Sequence, residues 1–241
     1  MGRTESRLKA GAAELGEVDG PGDVRTVAGD VAVEDDVARA VDAACGSDGG
    51  LDIAVAAAGT GTMAPVVLLD ADQWRQTMAT NLDGAFFTIK HAARAMGRSG
   101  GGAICAISSI AAPLTHRYMA PYSVSKAALE TLVMNAADEL GMAGVRVNAV
   151  RPGLVPTELA TALHSNEEIV ADYLAQMPLG RLGTVEDVAA GVRYLCGPES
   201  SWVTGQCLAI DGGHTLRRGP DLEAFARLLF GDDAVEGRVD A

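Results

Sequence analysis

Tyr122 and Lys126 stand four residues apart, a spacing that on a helix puts both side chains on one face, a turn from each other. An ammonium near a phenol favours the phenolate, so the pair predicts a tyrosine whose pKa falls below its ordinary value of about 10. Such a tyrosine exchanges a proton with a substrate oxygen near neutral pH, as a general acid or base does. Upstream, Gly102-Ala103-Ile104-Cys105-Ala106-Ile107 reads as a short buried strand running into Ser108-Ser109. A serine at a strand end can hold the same oxygen by a hydrogen bond. Taken alone, Tyr-x-x-x-Lys is most often an ordinary helix face with a solvated lysine, and a serine pair after a strand is most often a turn or a helix cap. The elements around them decide between these readings.

Apolar periodicity predicts helices over 4–16, 34–44, 70–79, 81–97, 120–143 and 184–196, with a polar helical region over 157–177. Strands are predicted over 24–31, 51–59, 102–107, 145–150 and 206–210. Strands alternating with helices imply parallel pairing through right-handed crossovers, hence an α/β, Rossmann-like doubly wound sheet. No composition break or long linker interrupts the chain, which reads as one domain over 1–241. In such sheets ligands bind at the carboxyl ends of the strands. Gly59, Ser109 and Pro152-Gly153 all fall there, so the candidate chemistry converges on one rim.

Composition narrows the classes of function. At 48% hydrophobic residues and a mean hydropathy of +0.15, the 241-residue chain reads as a compact globule. A net charge of −13 opposes non-specific binding to nucleic acid or anionic membranes. No charge-free apolar run is long enough to span a bilayer, and the first residues lack the apolar stretch of a secretory signal. Ser6 completes the loose pattern Met-Gly-x-x-x-Ser of lipidated proteins, which is short enough to match by chance. Cys45, Cys105, Cys196 and Cys207 are widely spaced, and His91, His116, His164 and His214 form no ligand pair. No metal is expected, and the cytoplasm is the expected compartment.

With these residues in place the chain resembles the short-chain dehydrogenase/reductase family over nearly its whole length. Asn81, Ser109, Tyr122 and Lys126 match the family's catalytic tetrad, with its thirteen-residue step from serine to tyrosine. Arg151-Pro152-Gly153-Leu154-Val155-Pro156-Thr157 is similar to its nicotinamide-side loop, Asp30-Val31 to the pair that holds the adenine, and Asp211-Gly212-Gly213 to its closing motif. The resemblance implies an NAD(P)-dependent oxidoreductase that interconverts a ketone and a secondary alcohol. Tyr122 would be general acid/base, Lys126 would tune it and bind the nicotinamide ribose, Ser109 would orient the carbonyl, and Asn81 would support a water relay. Ala58, Gly59, Pro152, Gly153, Val155 and Thr157 would line the cofactor. Arg3 lies where members that prefer NADP place an arginine, which favours NADP over NAD. A small-molecule carbonyl or alcohol is the expected partner, in a homodimer or homotetramer built on the tyrosine helix, the helix before it and the last strand.

The pattern fails in two places. The family's Asn-Asn-Ala-Gly is here Ala56-Ala57-Ala58-Gly59, which keeps small volume but loses amide hydrogen bonds and predicts local loosening. Secondly, no strand, glycine-rich turn and helix precede Gly2-Arg3, which resembles the end of the family's second strand. The fold is thus expected to be N-terminally truncated, with 24–31 moving inward to pair with 51–58, or with 1–50 partly disordered. Two explanations stay open, a shortened product and a start placed inside a longer chain. The rival function is a catalytically silent, oligomeric relative that cannot hold a dinucleotide.

Around the tetrad, Ile110, Ala111, Leu114, Met119, Leu154, Leu159 and Leu163 could line a pocket for a hydrophobic substrate or fill core. His116 and Arg117 could meet a polar group of the substrate, although a solvated loop is the more ordinary reading. Residues 214–241 form a C-terminal extension, with a short amphipathic helix after Pro220 striped by Leu222, Phe225, Ala226 and Leu229. It could dock on its own domain or reach a partner's site. The acidic tail 231–241 is expected to fray.

Overall fold

In the computed structural model the described residues are 1–18, 22–46, 49–217, 219 and 221–238. In chain order they form α1 (Glu5–Gly16), α2 (Glu34–Ala44), β1 (Ile53–Ala56), α3 (Ala71–Met78), α4 (Gly84–Ser99), β2 (Gly102–Ile107), α5 (Ala120–Leu140), β3 (Val145–Pro152), α6 (Thr161–His164), α7 (Glu167–Gln176), α8 (Val185–Cys196), β4 (Cys207–Ile210), α9 (Glu223–Phe230) and α10 (Asp232–Val235). The strands pair in parallel in the order β1-β2-β3-β4, with Ile53 opposite Ala103, Gly102 opposite Val145 and Ala149 opposite Cys207. This is the doubly wound α/β sheet that the alternation of patterns predicts.

β2 is apolar without alternation because both faces of the sheet are covered, while β3 carries Arg146 and Asn148, whose side chains bond to the segment before β4. Ile104, Ala106, Val147 and Ala149 pack on one face with Ile89, Ala92 and Met96 of α4 and Leu129 and Val133 of α5. On the other face Cys105 and Val150 meet Leu195, Val188 and Val192 of α8. Helix starts follow local chemistry. The Asp70 carboxylate accepts from the amides of Asp72 and Gln73, and Thr184 and Asp187 form a reciprocal capping box.

The N-terminal expectation is corrected. Residues 24–31 form no strand; their one ladder contact is a parallel bridge between Ala28 and Gly2, closed by Gly2 N–H to Val27 O at 3.2 Å and Gly29 N–H to Gly2 O at 3.0 Å. They do not move inward to β1. Two contacts pin them outside: Val31 sits against Gly84, where an added Cβ would lie 2.8 Å from its Cγ2, and the Asp30 amide donates to Asp36 Oδ2 at 2.8 Å. Only a glycine at 84 admits that approach. Between this segment and β1 lies a slot of about 260 Å3, bounded by Met1, Val31, Val37, Val41 and Leu51. β1 itself covers four residues instead of the predicted nine, and 57–59 are exposed.

Between α3 and α4 the chain makes a π-helical turn, Ala79–Asp83, that carries Asn81. Such turns insert one extra residue into a helix and gather at functional sites. The C-terminal extension docks on its own chain: Leu222 and Ala226 are fully buried, and Phe225 packs on the cluster of Ile110, Leu154, Ile169, Tyr173 and Met177. Leu229 stays exposed, so the predicted stripe is only partly used. The expected fraying of 231–241 is corrected for its first part, because 232–235 are helical and bury Ala234. Pro220 and 239–241 lie outside the described residues.

Candidate active site

The carboxyl ends of β2 and β3 open on a cavity of about 930 Å3. Ser109 enters it from the end of β2, and Tyr122 and Lys126 from one face of α5, as their spacing requires. The Ser109 hydroxyl lies beside the Tyr122 phenol, near enough to lower its pKa, and accepts the Ala111 amide at 3.1 Å. Lys126 is buried; its Nζ donates to Ile107 O at 2.7 Å and stands 5.7 Å from the centre of the Tyr122 ring. Asn81 is also buried. Its Oδ1 accepts the Thr60 amide at 2.8 Å, and its Nδ2 donates to Thr60 O at 2.9 Å and Ser125 Oγ at 3.0 Å. Gly59 completes the group: a Cβ there would lie 3.6 Å from Asn81 Oδ1 and 3.7 Å from Lys126 Nζ.

The electrostatics correct one expectation. Burial raises the Tyr122 pKa, and only the neighbouring Ser109 hydroxyl opposes that rise. Lys126 does not lower it, because the ammonium is turned to the Ile107 carbonyl, and burial lowers its own pKa from 10.5 to about 8. Tyr122 is therefore a phenol at neutral pH, a proton donor as it stands.

Of the other residues singled out in the sequence, Pro152, Gly153, Val155 and Thr157 line the cavity. The Asp211-Gly212-Gly213 turn supports this loop from behind, with the Gly153 amide donating to Ile210 O at 3.0 Å and Asp211 accepting from the Gly213 and Thr215 amides. Val31 and Ala58 line the slot beside β1 instead. Arg3 and Asp30 lie apart from the cavity and face each other at 3.8 Å. His116 is buried, not solvated, and Arg117 is held by Asp221 and Glu223 at 3.1 and 2.6 Å.

Three residues escaped the sequence reading. Glu130 is buried, accepts Ser108 Oγ at 2.7 Å, and takes a fork from Arg151 through Nε and Nη2, both at 2.6 Å. It ties the ends of β2 and β3 to α5. Its signal was present: it follows Lys126 by four residues, on the same helix face. Tyr173 lines the cavity, but its spacing with Ile169 and Met177 reads as ordinary core. Tyr118 has φ +68°, a left-handed conformation that is uncommon outside glycine. Its carbonyl accepts the Ala64 amide at 2.8 Å, which fixes the loop that carries His116 inward. No sequence pattern announces that turn.

A family model described as enoyl-(acyl carrier protein) reductase matches residues 3–215. A structure of a short-chain type dehydrogenase/reductase from Mycobacterium ulcerans superposes with a TM-score of 0.94 at 43% identity, over 98% of this chain and 87% of that one. The chain belongs to the short-chain dehydrogenase/reductase family. It is an oxidoreductase of that family. Cis-4-hydroxycyclohexanecarboxylate dehydrogenase of Sinomonas cyclohexanicum is 38% identical over 187 residues, 77% of this chain and 74% of the relative. Galactitol 2-dehydrogenase of Cereibacter sphaeroides is 36% identical over 69% of this chain and 66% of its own. A gluconate 5-dehydrogenase from Burkholderia cenocepacia, solved with NADP and tartrate, has a TM-score of 0.83 at 30% identity, covering 89% of this chain and 84% of that one. Members of the family similar to this chain thus use NAD(P).

The residues present suit a dinucleotide at its nicotinamide end. Lys126 supplies a buried donor, and Gly59, open to solvent, carries no side chain to stand between a ligand and Asn81 or Lys126. Farther along, the cavity wall includes Ile53, Val55, Val188 and Val192, and Arg193 is the charged side chain of α8 available to a phosphate.

Proposed function

We propose that this chain interconverts a secondary alcohol and a ketone, with Tyr122 as the proton-transferring group. The observation that carries the reading is the convergence of the Ser109 hydroxyl, the Tyr122 phenol and a buried Lys126 on one apolar cavity. Ser109 and Tyr122 together offer a substrate oxygen two hydroxyls. The raised pKa of Tyr122 keeps its proton on Oη until charge develops on that oxygen, which suits donation during ketone reduction. Lys126, held by Ile107 O beside the Tyr122 ring, would bind the cofactor's ribose through its ammonium, and Asn81 holds the Thr60 backbone and Ser125 in place beside it. NAD(P)H, when bound, supplies the hydride for the carbonyl carbon. Lys126, Gly59 and the 152–157 loop would hold its nicotinamide end.

Arg3, paired loosely with Asp30 on the exposed side of the fold, supports NADP over NAD. Exposed Phe86 on α4 and Met134 on α5 support a dimer face on those helices. Calorimetric titration of the 241-residue protein with NADPH and NADH, followed by ketone reduction, tests the reading. Saturable NADPH binding and turnover that Tyr122→Phe abolishes are expected. A folded protein that binds neither dinucleotide would overturn it in favour of a silent relative.

A further inference from the structure

The reading above leaves the substrate unnamed, and the wall of the cavity facing Ser109 and Tyr122 constrains it. That wall is assembled from segments far apart in sequence: Ile110 and His116 after β2, Leu154 after β3, Leu163 on α6, Tyr173 on α7 and Phe225 on α9. Among the described residues, Lys126 and Arg193 are the only charged side chains that line the cavity. Lys126 is bonded to Ile107 O beside Tyr122. Arg193 lies on α8, which packs on the opposite sheet face with Cys105 and Val150. Arg117, near α9, does not line the cavity and is held by two carboxylates.

The polar groups of this wall are neutral. Burial lowers the His116 pKa, and its Nδ1 lies 3.1 Å from Leu114 O, the geometry of an N–H donor, which leaves Nε2 as acceptor. Burial raises the Tyr173 pKa, so its hydroxyl stays protonated. The Tyr173 ring is set between two imidazoles, with His214 edge-on at 5.4 Å and His116 at 6.4 Å between centres. It is a positioned donor.

We propose that the substrate is an uncharged, predominantly apolar secondary alcohol or its ketone, seated against Ile110 and Phe225, with any second hydroxyl or carbonyl received by Tyr173 and His116. Carboxylate-bearing analogues are rejected, because an anion here would lose its water without gaining a cation. The inference rests on the proposed function. The alcohol's C–H bond breaks with its electron pair passing as hydride to NAD(P)+, and its hydroxyl proton passes through Tyr122 to water. The ketone and NAD(P)H are the products.

A matched pair of probes tests it: 4-methylcyclohexanone and 4-oxocyclohexanecarboxylate, which differ by one charge at similar size. With NADPH and the full chain, kcat/KM for the neutral ketone should exceed that for the carboxylate by at least about 100-fold. Phe225→Arg should shrink that ratio by raising turnover of the carboxylate. Tyr173→Phe should raise KM for 4-hydroxycyclohexanone several-fold more than KM for 4-methylcyclohexanone. Equal or better use of the carboxylate by the unmodified protein overturns the proposal. If neither ketone turns over, binding measured by saturation-transfer NMR separates the two claims. Binding of the neutral ketone alone keeps the substrate class and removes the hydride-transfer reading; binding of the carboxylate, or of neither, removes the substrate class.

Discussion

The two ends of the main cavity are both apolar, yet they are built to opposite standards. At the substrate end Ile110, Leu154, Ile169, Tyr173, Met177 and Leu222 are all buried, and segments more than a hundred residues apart close over them. At the β1 end Ile53 and Val55 remain 48% and 42% exposed, α1 buries none of its residues, and the Gly2–Ala28 bridge stands alone beside an open slot. An exposed apolar strand edge is a template for further pairing. The reacting groups belong to neither end. Ser109, Tyr122, Lys126 and Asn81 hang from β2, the sheet-facing side of α5 and the π-helical turn, which are packed against the core. The chemistry and the substrate wall are thus anchored without help from the edge.

That contrast can be broken most sharply at the proton. Tyr122→Phe should cost about 10³-fold in kcat with the melting temperature unchanged; activity within tenfold of the parent would detach the chemistry from this site. Next, the anchored side should be sensitive to packing. Ile104→Ala, in the fully buried centre of β2, is expected to cost about 3 kcal/mol in urea unfolding, and Glu130→Ala about as much, because it strands Arg151 and Ser108. A loss below about 1 kcal/mol in both would show that β2 is no anchor.

The pH profile gives a smaller effect. Lys126 titrates near 8, so its ammonium is present below that pH and lost above it, while Tyr122 stays protonated through the same range. Ketone reduction should fall about tenfold per unit above pH 8, and a rate still flat about two units higher would remove Lys126 from the mechanism. The smallest effect belongs to the edge. Val55→Thr should change stability by no more than about 0.5 kcal/mol. A larger loss, measured in the same urea series, would mean that the β1 edge is covered in solution and that the contrast between the two ends is false.

Much of this was legible in the sequence because short-range rules set it. The four-residue step from Tyr122 to Lys126 gave a shared helix face, and the apolar run 102–107 gave a central strand ending at Ser109. Where partners lie far away, the sequence is silent. Nothing near 24–31 says that Val31 will lodge on Gly84 and hold that segment away from β1. His116 reads as a polar loop residue until Tyr118 turns the chain inward, and Tyr173 cannot be told from core until α7 is seen to face the cavity. The same limit explains the tyrosine's pKa: spacing brings Lys126 near, but only the fold decides that its ammonium points to Ile107.

The π-helical turn at Ala79–Asp83 carries a constraint of another kind. One residue of an α-helix corresponds to about 100° of rotation. The π-helical turn takes its extra residue by turning less at each step, so it absorbs about that angle. Deleting one of its residues would let α3 and α4 run on as one regular helix with Ile89, Ala92 and Met96 still on the sheet, but Asn81 would lose its place against Thr60 and Ser125. At this point in the chain a change of length is felt at the site before it is felt in the core.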